Sequence, residues 1–325
     1  MTSTKSIVVA TVLIILTACS YALLSTIATL GFIDGLDFST VLFGQFFWGC
    51  VILGIIALIS WLVWQRKQPK PEKNPAKMGK RVALLITTGV ICALVTILYF
   101  CSFLILDLDI SVAVVLLFQY AWVGLVVECI ANKQLPSLKS VIAAIVVVVG
   151  GIIGAGLIGA DFSVMILNPL GMVLAFAAAV CYALFFHLSG CVETQMPPLF
   201  KSFIVSLVAM VTALVFILIF TPLHDGVAVN LLPVFADPNA LKYIIPLGFF
   251  GIALPIFFLS LGAPKLSTGL VSILNAAELP VEVLLAVLVI GETVAPLRWV
   301  GVVIVLVGIA LPYILNRKSM AAMER

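Results

Sequence analysis

The sequence predicts an all-α integral membrane protein with ten transmembrane helices in two inverted five-helix repeats. Three observations predict it: the composition, the length and number of the apolar runs, and an internal repeat with an odd number of helices per copy. Apolar residues make up 64% of the 325-residue chain and charged residues 10%, against about 45–50% and 25% in soluble domains. So few charges cannot wet the surface of a soluble fold, and lipid must be the solvent for most of the chain. The same shortage excludes a disordered chain, a disulfide scaffold and a nucleic-acid-binding module, which needs a dense basic patch.

A spanning helix needs about 20 apolar residues. Ten stretches qualify in turn: 7–30, 41–64, 82–106, 110–130 and 138–159, then 170–190, 199–220, 241–262, 268–290 and 297–315. Only Asp107-Leu108-Asp109 parts the third from the fourth, and only Gly291-Glu292-Thr293-Val294-Ala295-Pro296 parts the ninth from the tenth. Barrel strands would alternate in polarity over about 10 residues; these runs are continuous and longer, so they are helices. With the amino terminus in the cytoplasm and ten alternating spans, every Lys and Arg except Lys242 and Arg298 falls on the cytoplasmic side. Such asymmetry in short loops orients a multi-pass protein, here in the cell membrane with both termini cytoplasmic. Asp34, Asp37, Asp107, Asp109, Asp161, Asp225 and Asp237 fall mostly in the outer loops.

Between the spans, residues 65–80 carry Pro69, Pro71 and Pro75 among basic residues and read as a solvated cytoplasmic linker and topology signal. Residues 221–240, with His224, form the longest outer loop. Leu16-Thr17-Ala18-Cys19 resembles a lipoprotein cleavage site, but apolar sequence continues to Leu30, so Cys19 belongs within the first span. The seven cysteines show no metal-ligand or CxxC spacing and read as packing residues. The sequence therefore points to no metal and no cofactor.

The repeat divides the chain into residues 1–160 and 161–325. Ser20-Tyr21-Ala22-Leu23 in the first span recurs as Cys181-Tyr182-Ala183-Leu184 in the sixth. Ser111 at the start of the fourth span matches Ser267 at the start of the ninth, and in that register Gln119 falls on Asn275 and Trp122 on Glu278. Five spans per copy force the second copy to enter the membrane from the opposite face, the architecture of many alternating-access transporters.

Ala263-Pro264-Lys265-Leu266-Ser267-Thr268, then Leu279-Pro280, Gly291-Glu292, Trp299, Gly301 and Gly308, resemble the closing block of an EamA domain of the drug/metabolite transporter superfamily. The first half departs from that pattern: Gln119-Tyr120-Ala121-Trp122-Val123 lacks the corresponding proline, Asn132-Lys133 stands for Gly-Glu, and Gln45 stands where relatives often carry arginine. The resemblance implies a central cavity lined by spans 1, 3, 4, 6, 8 and 9, with spans 5 and 10 peripheral. It also implies transport of a small organic metabolite, such as an amino acid or amine, often outward and in some relatives proton-coupled.

Two acidic residues, Glu278 and Glu282, lie well inside the ninth span. An ionised group at mid-membrane costs about 2.5–3.5 kcal/mol on insertion scales, and such residues usually face a cavity on an ion or substrate route. Helical spacing puts Asn275, Glu278 and Glu282 on one face. Two carboxylates one turn apart repel when both are ionised, which suits proton exchange or a cationic substrate; the alternative for Glu278 is a carboxyl bonded to a neighbouring helix. Pro280 deletes one backbone hydrogen bond and is expected to free a carbonyl toward the cavity. Gln119, Trp122, Tyr21, Tyr182 and Tyr99 are the further candidates for binding substrate or protons. Tyr120, Ser102, Gln45, Trp48 and Ser260 rank below them. Trp122 could form an aromatic wall for a cation; each aromatic has interhelical packing as its alternative.

Glu128 and His187 are expected at cytoplasmic helix ends, Glu128 near Lys133 and His187 solvated or acting as a pH-sensitive gate. Glu292 is expected to cap the tenth span or pair with Arg298. Gly150, Gly151, Gly154, Gly156, Gly301 and Gly308 permit close helix approach. Taken together, the sequence predicts a secondary transporter whose partners are a small-molecule substrate, possible coupling protons and the lipid bilayer, without nucleic acid. The oligomeric state is not encoded legibly. A membrane scaffold and an intramembrane enzyme are the competing classes. The enzyme lacks support because neither His belongs to HExxH and no lysine lies mid-span, and no phosphate-binding loop supports ATP drive.

Overall fold

The structure is a computed structural model and describes residues 4–64, 75–158, 167–191, 197–224 and 229–323. Asp161, Asp225, most of the basic linker and the boundary between residues 160 and 161 lie outside the described residues, as do the side chains of His224, Arg317 and Lys318.

Every element in the described residues is helical. The first half comprises α1 (Thr4–Ile33), α2 (Phe38–Trp64), α3 (Pro75–Phe100), α4 (Ile110–Leu117), α5 (Tyr120–Asn132) and α6 (Leu138–Gly154). The second comprises α7 (Pro169–Cys191), α8 (Pro198–His224), α9 (Pro233–Ala236), α10 (Pro238–Leu247), α11 (Leu254–Gly262), α12 (Thr268–Asn275), α13 (Glu278–Leu285) and α14 (Pro296–Met323). Among the described residues, nine helical stretches are long and apolar enough to cross a membrane; α6, with 17 residues, is a shorter apolar tenth. The absence of water in a bilayer core demands this: only helices and closed barrels satisfy their own backbone there.

Polar caps set the helix starts. Asp37 accepts from the Thr40 amide at 2.9 Å, Asp109 from Ser111 at 2.8 Å, and Asn168 from Leu170 at 2.9 Å. Ser137 opens α6 by accepting from the Ser140 amide at 3.1 Å, and Ser267 opens α12 by accepting from Leu270 at 3.4 Å. α5 ends at Lys133 in the left-handed region, φ 54°, and the ninth span ends at Gly291, φ 77°.

The fourth and ninth spans are not continuous helices. Each breaks near mid-membrane: α4 stops at Leu117 and α5 restarts at Tyr120, while α12 stops at Asn275 and α13 restarts at Glu278. Ile110, Phe118 and Tyr120 stand at the same spacing as Thr268, Ala276 and Glu278. The geometric equivalence therefore places Tyr120, not Trp122, opposite Glu278. The sequence register was two residues out because it was anchored on Ser111 and Ser267, whereas Asp109, not Ser111, caps α4. Pro280 frees no carbonyl toward the cavity: the Ala276 oxygen, which loses its partner to the proline, accepts from the Leu279 amide at 3.2 Å instead.

The first and last helices place their outer ends at one face. The Thr11 hydroxyl in α1 meets the Tyr313 hydroxyl in α14 at 2.7 Å, so the start of α1 and the end of α14 share a level. Asp34, at the far end of α1, accepts hydrogen bonds from Lys242 at 3.0 Å and Tyr243 at 2.5 Å. We call these the terminal face and the Asp34 face. The packing pairs are α2 with α8, α3 with α7 and α8, α1 with α11 and α13, α5 with α12, and α6 with α14. The last pair touches backbone to backbone, because a Cβ on Gly301 would overlap Gly154 and one on Gly150 would lie 2.8 Å from the Val305 amide. Gly151 needs no such exemption, since a Cβ there meets only Phe118 at 3.8 Å.

Candidate functional site: two chambers on a polar helix face

The helices enclose two adjoining spaces. The larger, a vestibule of about 600 Å³, is bounded by α1, the end of α3, α4, α13 and the start of α14; Arg298 and Glu292 place its mouth at the Asp34 face. That volume lies within the roughly 300–1,000 Å³ of small-molecule sites. The smaller, about 70 Å³, lies deeper and admits water but no organic solute. Leu24, Ser25, Tyr99, Phe100, Val114 and Glu282 line both.

Glu282 sits at the junction. Its Oε1 accepts a 2.5 Å bond from the Ser25 hydroxyl of α1, the length expected for a hydroxyl donating to a carboxylate. Glu278, one turn deeper, lines only the inner chamber and is 6% exposed. Its Oε2 accepts from the Tyr182 hydroxyl at 3.4 Å and from the Asn275 amide at 3.2 Å, and Asn275 also donates to the Tyr182 oxygen at 3.1 Å. Tyr21 packs edge-on against Tyr182 with ring centroids 5.6 Å apart, and Tyr120 packs against it at 4.8 Å. The two tyrosines of the repeated Tyr-Ala-Leu motif thus meet each other. Tyr99 completes the wall, packed on Phe103 at 5.1 Å. The inner chamber has two carboxylates and no lysine or arginine among its lining residues.

The structure brings Glu278, Asn275, Glu282, Tyr21, Tyr182 and Tyr99 together. Gln119 and Trp122 stand apart. Trp122 is 40% exposed, packs beside Phe176 and donates its indole N–H to Gln119 Oε1 at 2.8 Å. Gln119 in turn donates to the Val115 carbonyl at 2.8 Å, satisfying a backbone group loosened by the helix break. These two residues close a local loop of hydrogen bonds and line neither chamber. Ser25 is the contact that sequence reading missed; its spacing one turn beyond Tyr21 on the same face of α1 was the available signal. Glu292 pairs with Arg298 at 2.7 Å, and Arg298 also donates to the Gly154 carbonyl at 3.0 Å.

Residues 169–314 match the EamA-like transporter family. The match lies in the second half of the chain. The matched segment supplies Tyr182, Asn275, Glu278, Glu282 and Arg298; Tyr21, Ser25 and Tyr99 come from outside it. The fold likeness is broader than the sequence match: a solved structure titled "Crystal structure of protein" superimposes with a TM-score of 0.69 over 98% of this chain and 99% of its own, at 17% identity. No curated protein matches the chain in sequence. The EamA-like match over residues 169–314 and the nine apolar helices among the described residues are those of a multi-pass membrane protein.

Proposed function

We propose that the protein is a secondary transporter for a small organic metabolite bearing an amine, an amino acid or a simple amine. It works by alternating access between two inverted halves, residues 1–160 and 161–325. One observation carries this reading: a solute-sized vestibule ends on a carboxylate, Glu282, with a second carboxylate, Glu278, directly beyond it. A protonated amine entering the vestibule meets Glu282, and aromatic rings of Tyr99 and Phe100 offer faces that attract a cation. Two carboxylates in one low-dielectric space repel when both are ionised. A cationic group or a proton relieves that repulsion, so the pair serves substrate binding and proton exchange alternately. The lysine and arginine bias assigns the terminal face to the cytoplasm of the cell membrane, and family resemblance favours export.

The test is uptake into proteoliposomes of a panel of amines, amino acids, nucleosides and sugars, with and without an imposed pH gradient. Gradient-stimulated flux of an amine-bearing solute, lost in Glu282→Gln, is the expected outcome. Flux that keeps its pH dependence in Glu278→Gln removes that carboxylate from coupling. Absence of flux for the whole panel favours a scaffold.

A further inference from the structure

The ninth span carries a row of polar residues along one face from its start into α13. Thr268, Ser272, Asn275, Glu278 and Glu282 follow one another there at helical spacing. The part toward the Asp34 face, Glu282 and Glu278, borders the two chambers. The other part is sealed. Ser272 and Asn275 are 0% exposed, and neither the Ser272 hydroxyl nor the Asn275 Oδ1 has a hydrogen-bond partner among the described residues.

α5 provides the seal and has a matching face. Tyr120, Gly124 and Glu128 lie one turn apart along it. Gly124 is pressed onto Ser272 so closely that a Cβ would overlap the hydroxyl, and Gly269 is pressed in the same way onto Leu125. At the terminal end the Glu128 carboxylate accepts from the Gly269 amide at 2.7 Å, in the first turn of α12, where the helix dipole favours a negative charge. Beside it, His187 Nδ1 of α7 and the Thr268 hydroxyl are 2.9 Å apart. A dry seam built for packing alone would place apolar side chains at 272 and 275, because a buried polar atom without a partner is costly. Those same atoms are satisfied at once if the seam opens and floods.

We infer that the α5–α12 seam is the closed half of the translocation route, and that the Glu128–Gly269 and His187–Thr268 contacts latch it at the terminal face. Opening it parts α5 from α12, wets Ser272 and Asn275, and joins Glu278 to the terminal face. This rests on the transporter reading of the chambers, but its test reads thiol chemistry and needs no substrate.

The test introduces single reporters into a variant whose seven native cysteines are replaced by alanine, reconstituted in vesicles of both orientations. The probe is a charged, membrane-impermeant methanethiosulfonate reagent. Ser272→Cys should react only from the terminal face. Adding Glu128→Gln, which exchanges a charge-assisted bond for a weaker one, should speed that reaction about tenfold or more. Val271→Cys, on the same helix but off the polar face, should stay unreactive in both backgrounds. Should Ser272→Cys fail to elute as a folded monodisperse species, Thr268→Cys at the seam's outer end reports the same acceleration. Modification of Ser272→Cys from the Asp34 face, or a rate that Glu128→Gln leaves unchanged, overturns the seam. Ser25→Cys reacting from the Asp34 face is the separate check on the vestibule; its failure would sink the transporter reading and leave an opening α5–α12 seam without the role of a route.

Discussion

Tyr182 illustrates how a single hydroxyl couples two side chains of the candidate site. It donates to Glu278 and accepts from Asn275, so Tyr182→Phe leaves both short of one partner while keeping the ring contacts with Tyr21, Tyr120 and Phe186. If the protein transports as proposed, the expected result is a fall of about ten- to a hundredfold in transport rate, as losing a hydrogen bond to a charged group implies about 1.5–3 kcal/mol, with the detergent-solubilised protein still folded by size-exclusion chromatography. Asp34 makes a different case, because it stands in the turn after α1. Hydrogen bonds from Tyr243 first, then from Lys242, hold its carboxyl below the ordinary value of 3.8. A carboxylate with a depressed folded-state pKa contributes stability that is present above its unfolded value and lost as pH falls through the folded one. Wild type should therefore melt slightly above Asp34→Asn at pH 7, and the gap should close as pH falls below the ordinary carboxyl value of 3.8. Scanning fluorimetry at a series of pH values reads this, and a gap that widens on acidification contradicts it. The effect is small because the group is exposed and screened.

Elements show which glycines matter. Gly154 and Gly301 hold α6 and α14 at backbone contact, whereas a Cβ on Gly151 meets only ordinary van der Waals space. Gly301→Ala should cost about 1–3 kcal/mol through overpacking, read as a lowered thermal midpoint, while Gly151→Ala should be close to neutral. All of these glycines look alike in sequence; only the contact partner separates them. The breaks in the fourth and ninth spans carry the same lesson. Pro280 explains why α13 starts afresh, since it lacks the N–H that would reach Ala276. No proline accompanies the matching break between Leu117 and Tyr120, where the chain relies on Gln119 bonding back to Val115. Trp122 was expected as an aromatic wall because the repeat register, anchored on Ser111 and Ser267, paired it with Glu278. The break moves it to an exposed face against Phe176, and Tyr120 takes the inward place.

For the whole molecule, the asymmetry between faces is the main finding. The vestibule has its mouth at the Asp34 face, and the terminal face is sealed by α5 on α12. The Thr11–Tyr313 contact sets the start of α1 and the end of α14 at the sealed face. Reporter fusions to the amino and carboxyl ends should therefore read the same compartment, and that compartment should be the cytoplasm if the lysine and arginine bias governs insertion. Fusions reading opposite compartments would break the ten-span alternation. The charge pattern alone predicts that arrangement, because basic side chains cannot cross the bilayer cheaply and so record each loop's side. Ser25, by contrast, was invisible as a partner of Glu282: the two are far apart in sequence and meet only where α1 packs on α13.

By itself the sequence determined the helical class and the apolar runs, and it singled out the two carboxylates inside them. It could do so because hydrocarbon imposes a one-dimensional rule on composition and charge. The tertiary structure alone decided that Glu282 faces a solute-sized vestibule while Glu278 lies beyond it, bonded to Tyr182 and Asn275. It alone decided that Ser272 is dry. Those outcomes depend on which helix lies against which, and on helix breaks that local sequence marks in only one of the two halves.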